Sequence, residues 1–402
     1  MILEIFTKFF DNCDLDIRKK GNNPRFLDQK CTPDVISFIA DCICQIGKTT
    51  FDRNDIWKNE YFIKNASFIF GKPSPRNQAA NHEYDKLILQ PLDLLSYAGV
   101  LSKQKIGIKN SFSIQDRKIL EHIARNEKDS FLFLFCYLDK FVKDSGFEKP
   151  LSRFLQQQDK DSFDELKKKF IQFVLAYSNI GSRQSKNGGE VEIRRIFPKF
   201  LNIFAVYTQK KGSVHGHISD GIFLMSDLMY NRVNFRDVSK LKNITRSEQE
   251  QIKHSKPNKY RDFQTQKAMK WMKRYHPYSE VHDKLYGPTD CIHHIFPKSE
   301  FPEISYYIEN LIALTSGQHT TLAHPHGNTK EIDKMYQKLC LKSKEHTIQT
   351  ELQKSETQYS LPDFVFVLTK GFGHKILIPV DADFTTIDSS IERYFSESKD
   401  LV

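Results

Sequence analysis

The sequence predicts an α+β protein of several domains, largely helical in its N-terminal and central regions, with a small strand-and-helix unit near the C-terminus. Apolar residues at helical spacing recur as far as about residue 235, as in "DVISFIADCICQI" and "DSFDELKKKFIQFVLAYS". A chain of 402 residues exceeds what one ordinary core serves, and 32 Phe and 16 Tyr are enough to build more than one. The third observation is a cluster. Five of the 14 histidines fall between His293 and His326, where an even spread would put about one.

The elements follow in order. Residues 1–114 read as a helical domain. Within it, "DVISFIADCICQI" is a helix, "TFDRNDIWKN" supplies capping residues before a short one, and "YDKLILQPLDLLSYAGVLSK" is longer, with Pro91 inside. "GVLSKQKIGIKNSFSI" alternates around Gly107 like a two-stranded wing. This order resembles a winged-helix DNA-binding unit. Residues 115–280 form a mostly helical central region. There a Gly-containing basic loop leads to Arg194 and Arg195, suited to phosphates or base edges. His215 and His217 alternate as on a strand, and no third ligand stands near them in the sequence. From Lys240 to Tyr275 there are eleven Lys and Arg against three acids, including Lys256, Lys259, Arg261, Lys270, Lys273 and Arg274. With a net charge of +10, that stretch points to a polyanion, and double-stranded DNA is the expected partner.

Several classes are set aside. No apolar run approaches the roughly 20 residues of a membrane helix. "MILEIFTKFFDNCD" lacks the basic start and small-residue cleavage site of a signal peptide, so the cytoplasm is expected. Seven scattered cysteines suit reduced thiols, and Cys42 and Cys44 sit in an apolar run that reads as core. Glu165 and Lys167 match the letters of an acidic nuclease core, but on a helical stretch.

In residues 281–345, "CIHHIFP" reads as a strand ending at Pro297. A loop with Asn310 follows, and "SGQHTTLAH" then forms a helix capped by Ser316 and ended near Pro325. Neighbours on a strand face opposite sides, so His293 and His294 do different jobs. One can hold a metal while the other meets a water on the substrate side. A neutral imidazole is a suitable base for phosphodiester hydrolysis, and a divalent ion neutralises the phosphate.

This strand–loop–helix resembles the HNH, or ββα-metal, nucleases over about 45 residues, carried by "HHIFP", the Asn310 of "ENL" and "QHTTLAHP". The resemblance implies that His294 is the general base, that His293 and His319 are metal ligands and that Asn310 is the structural asparagine. His324 is a further metal candidate. It follows His319 by five residues, off the same α-helical face, and ranks below it, with His326 after that. Thr315 and Gln318 stand where many members carry zinc-binding cysteines, so no structural zinc is expected. The metal expected is Mg²⁺, with Mn²⁺ and other transition metals open.

The large basic region ahead of the site looks most like that of a type II restriction endonuclease acting as a homodimer. A homing or phage-type enzyme, a methylation-dependent nuclease, and a winged-helix regulator with an inactive HNH remnant are the alternatives. Residues 346–402 are expected to form a β-containing extension, with two strands in "DFVFVLTKGFGHKILIPVDADFTTID".

Overall fold

Helix starts at Asp52, Asn59, Asp116, Asn126 and Asp159 are marked by side chains that accept the first free backbone N–H groups. The computed structural model describes the chain except residues 1, 20–24, 78–80, 179, 181–188, 231–245, 325–331, 355–356, 380 and 398–402, and the side chains of 81 and 246–259. Two compact units result, Leu3–Glu248 and Gln249–Val402. Among the described residues the architecture is α+β, with helices dominant and three small antiparallel sheets.

In the first unit, α1 (Ile2–Asp11) precedes α2 (Pro33–Ile46), which has Pro33 in its first turn and ends on Gly47 in the left-handed conformation. Strand β1 (Thr50–Asp52) runs directly into α3 (Arg53–Trp57). Asp52 and Asp55 form a reciprocal capping box at that junction. Next come α4 (Glu60–Phe70), α5 (Asn81–Tyr97) and the hairpin of β2 (Leu101–Ile106) and β3 (Lys109–Ile114). Strand β3 lies between β1 and β2, with Phe51 opposite Phe112. The expected order of helix, short helix, longer helix and hairpin is present, with α4 and β1 added.

Helices α6 (Arg117–Arg125), α7 (Glu127–Asp144), α8 (Glu148–Gln157), α9 (Lys160–Tyr177) and α10 (Glu190–Tyr207) pack around Phe-rich contacts such as Phe147–Phe200 and Phe170–Phe197. Helix α2 packs on α6 and α7, so residues on both sides of position 114 share this core. Cys42 is buried within α2 and Cys44 is half-buried. Strands β4 (Lys211–Val214) and β5 (His217–Ile222) form a hairpin whose turn is His215 and Gly216, both at positive φ. A short α11 (Met225–Leu228) follows.

The second unit holds the basic helix α12 (Arg246–Tyr275), then β6 (Cys291–His294) paired with β7 (Leu311–Leu314). A short helix α13 (Gln318–Ala323) comes next, and α14 (Lys334–Leu352), α15 (Leu361–Phe372) and α16 (Phe384–Glu397) complete it. Of the two strands expected after residue 346, the first is helix α15, and residues 376–379 form neither strand nor helix. Apolar, β-branched runs do not separate strand from buried helix by pattern alone. Here Ser360 accepts from the Asp363 N–H, Pro362 sits in the first turn, and Phe364, Val365, Val367, Leu368, Gly371 and Phe372 are buried at helical spacing. Gly371 is no turn residue. A Cβ on it would stand 2.2 Å from the Phe296 ring, so its lack of a side chain lets α15 close against Phe296, two residues past the end of β6.

On α14, Glu345 is buried beside Lys342, Asp388 and Glu392. Burial first, and the two acids after it, push its pKa up to about 7, against the partial relief of Lys342. A carboxyl whose folded pKa is raised stabilises below its unfolded value near 4.5 and loses that contribution as pH rises through about 7. Glu345→Gln should therefore raise the melting temperature of this unit by roughly 3–6 °C at pH 8 and leave it unchanged at pH 4.5. Equal effects at both pH values in thermal scans would sink this account.

Among the described residues, no helix is long and apolar enough to cross a membrane.

Candidate metal centre

The centre is built on a hairpin and the helix after it. Strand β6 sets His293 opposite Ile312 and His294 opposite Leu311 on β7, and the pleat sends the two rings to opposite faces. His293 turns toward α13. Its ring lies 5.3 Å from that of His319 and 4.9 Å from that of His324, which are 4.8 Å apart. The ligand nitrogens of His293, His319 and His324 all lie within 4.8 Å of one another, so the triad can hold a metal ion. No carboxylate belongs to this group among the described residues.

His324 therefore stands with His319, contrary to the angle that an α-helix gives five residues. Helix α13 is wound with i→i+5 hydrogen bonds, so residues five apart return to one side. His324 itself has left the helix, with φ −121° and ψ 94°, which folds it back over the turn. His326 lies outside the described residues.

Burial favours the neutral form of His293 and His319. The His293 pKa falls to about 3, first through desolvation and then through its three histidine neighbours. Burial, followed by His324, also lowers that of His319. A neutral ring leaves a lone pair for a cation.

His294 is half-buried on the other face. Its Nε2 lies 3.0 Å from the Ser305 carbonyl oxygen, which can only accept, so Nε2 carries the proton and Nδ1 keeps its lone pair. Burial lowers its pKa, the Ser305 contact opposes this, and Lys298 adds to the lowering. Ser305 is held in turn by a 3.0 Å hydroxyl contact with Thr265 of α12.

Asn310 is fully buried and works on the backbone behind the pair. Its Oδ1 accepts from Phe296 N at 2.8 Å, and its Nδ2 donates to the carbonyls of Phe296 at 3.1 Å and Ile304 at 3.2 Å. The chain after β6 is thereby tied to the loop that supplies Ser305.

The helix cap is Thr315, not Ser316. Thr315 Oγ1 accepts from Gln318 N at 3.2 Å, and Gln318 Oε1 accepts from Thr315 N at 2.9 Å, a reciprocal capping box. The same Gln318 Oε1 also accepts from the Ser279 hydroxyl, while Nε2 donates to the Val281 carbonyl and Asp283 Oδ1. One buried amide thus joins 279–283 to the start of α13, at positions where the resemblance puts cysteine ligands. Gln318→Ala should cost on the order of 3 kcal/mol in urea unfolding of this unit. A loss under about 0.5 kcal/mol would refute a bracing role.

The basic residues divide between the units. Lys270, Lys273 and Arg274 are exposed on α12, and Lys273 Nζ donates to the Asp290 carbonyl just before β6, at 3.0 Å. Arg261 is half-buried on the same helix. The side chains of Lys256 and Lys259 lie outside the described residues. Arg194 and Arg195 belong to the first unit, exposed on the first turns of α10, with Arg194 paired to Glu190 at 3.0 Å. Thr265, Ser305 and Gln318 were not foreseen as parts of the site. Only Gln318 left a trace in the sequence, the Thr-x-x-Gln spacing of a capping box.

Comparison of the chain with protein-family models, curated proteins and solved structures finds no match.

Proposed function

We propose that this protein is a metal-dependent endonuclease of the HNH kind that cuts double-stranded DNA at specific sequences, as a restriction enzyme does. One observation carries the reading. A single strand presents one imidazole to a three-nitrogen cluster and, on its other face, a second imidazole with its Nδ1 lone pair free. Hydrolysis of a phosphodiester needs both a base and a concentrated positive charge.

In this reading His294 Nδ1 takes the proton of the attacking water, and the Ser305 carbonyl holds the ring for that task. His293, His319 and His324 would hold the ion, whose chemistry is to polarise the phosphate and stabilise the leaving oxygen. Asn310 keeps the backbone behind both histidines in place. Three nitrogens without a carboxylate suit Zn²⁺, Mn²⁺, Co²⁺ or Ni²⁺ better than Mg²⁺, which favours oxygen ligands and retains its waters. We therefore assign the site to a transition metal in preference to the magnesium expected from abundance.

DNA contact is supported on both units. Lys270, Lys273 and Arg274 line α12 beside the centre. In the first unit, helix–strand–helices–hairpin with β3 between β1 and β2 is the layout of a winged helix. Its α5 is buried along most of its length. The β2–β3 wing is the free element, with Lys103, Lys105 and Lys109 exposed and Ile106 and Ile108 at the tip 64% and 96% exposed. Cutting both strands with one site per chain implies two copies acting together.

The test is incubation of purified protein with phage DNA, metal-free and with each of Mg²⁺, Mn²⁺, Co²⁺, Ni²⁺ and Zn²⁺, followed by electrophoresis. Discrete fragments are expected with a transition metal. Calorimetry should show Zn²⁺ or Ni²⁺ bound roughly a hundredfold or more tighter than Mg²⁺, and not bound after His293→Ala. Intact DNA under every condition would overturn the enzyme reading, leaving a DNA-binding regulator. A uniform smear would remove sequence specificity.

A further inference from the structure

The first unit contains a cavity of about 420 Å³ that the nuclease reading does not use, lined by Arg53, Asn54, Trp57, Lys58, His82 and Asp85. This is within the size range of small-molecule and cofactor sites. We propose that it binds a nucleotide, with the base stacked in the Trp57 wall and the phosphate held by Lys58 and His82.

Four features point to that chemistry. Trp57 is preset, with its Nε1 donating to the Pro75 carbonyl at 3.3 Å and its ring edge-on to Tyr84 at 6.1 Å. A fixed aromatic wall gives up little freedom on binding a planar ring. The Arg53 guanidinium lies over the indole, 5.4 Å from its centroid, so the wall already accepts a flat cationic group and offers two stacking surfaces. Along the edge, Asn54 and Asp85 supply amide and carboxylate groups of the kind that read a base. Arg53 bonds both of them, to Asn54 Oδ1 at 3.0 Å and to Asp85, which holds them in register.

Charge gives the third feature. Among the described residues Asp85 is the one acid lining the cavity and is paired with Arg53, leaving Lys58 and His82 exposed at its edge to meet an anion. Position gives the fourth. Arg53, Asn54 and Trp57 belong to α3, which continues directly from β1, the strand paired with β3 of the lysine-bearing wing. His82 and Asp85 lie in the first turns of α5. The cavity thus opens among the same elements that form the candidate DNA-binding layout.

Two sources share this chemistry, a base extruded from DNA and a free nucleotide. Extrusion removes one base from the stack at a cost that is least at a mismatch. That arm rests on the DNA-cutting reading, whereas the free-nucleotide arm stands without it.

The experiment uses full-length protein with His294→Ala and Trp271→Phe, in metal-free buffer, so that Trp57 is the sole indole and no cleavage is required. Titration with each of the four deoxynucleoside monophosphates should quench Trp57 emission to saturation, and inorganic phosphate should not. Lys58→Ala, at an exposed position that leaves the fold intact, should weaken the quenching. Labelled duplexes followed by anisotropy then separate the sources. A duplex with one mismatch binding about tenfold tighter than a paired one, with the difference abolished by Trp57→Ala, identifies an extruded base. Quenching by monophosphates with no mismatch preference identifies a free nucleotide. No quenching by any nucleotide or duplex, or equal quenching by phosphate, overturns the proposal. None of these outcomes depends on whether the wild-type enzyme cuts DNA.

Discussion

His294→Ala is expected to lower the rate of DNA cleavage by about 10²–10⁴-fold while leaving metal binding intact. The reasoning rests on geometry. The pleat of β6 keeps this ring off the side that carries the metal triad, and the Ser305 carbonyl at 3.0 Å fixes the proton on Nε2. Removing the imidazole takes away the proposed base without touching His293, His319 or His324. A pH profile adds a second readout. Burial depresses the His294 pKa, so the neutral form persists below the usual 6.5, and cleavage should fall only as pH drops below that value. Calorimetry of the variant with Zn²⁺ checks the separation. Loss of metal binding together with cleavage would show that His294 belongs to the triad, and full retention of cleavage would remove it from the chemistry.

Lys344→Ala is expected to destabilise the C-terminal unit by about 3–5 kcal/mol. Lys344 is wholly buried on α14 and bonds Glu280 Oε1 at 2.5 Å and the Tyr359 hydroxyl at 3.2 Å. Glu280 Oε2 in turn accepts from Ala313 N at 2.9 Å, on β7 beside the strand of the histidine pair. Burial pulls the Lys344 ammonium below its usual pKa, and Glu280 opposes that. The net worth of such a pair is small because both charges have left water. Removing one member is costly, because the other charge stays behind alone. Lys344→Met combined with Glu280→Gln should recover most of the loss in denaturant titration. If the single variant unfolds like wild type, the pair does not brace β7.

How much was legible can be judged from particular residues. Many helices of the first unit were readable because they carry a periodic face, and some a cap as at Asp52 and Asp116, although α4 was not foreseen. The strand character of "CIHHIFP" was readable too, and with it the opposite facing of His293 and His294, a local consequence of the pleat. Local rules failed where packing chose between equal patterns. "DFVFVLT" serves strand or helix equally well until Phe296 lies against Gly371 and selects the helix. The cavity around Trp57 was invisible because residues 53–58 and 82–85 are brought together only by the packing of α3 against α5.

By itself, the sequence determined many of the helices, the clustering of histidines and the alternation that splits the pair, because these depend on neighbours a few residues apart. The tertiary structure decided that His324 joins His293 and His319, that Ser305 orients His294, and that Gln318 stands at a hydrogen-bonded hub. Each of these depends on a widened helical turn or a loop folded against a distant helix, and such contacts are set by burial across the whole unit.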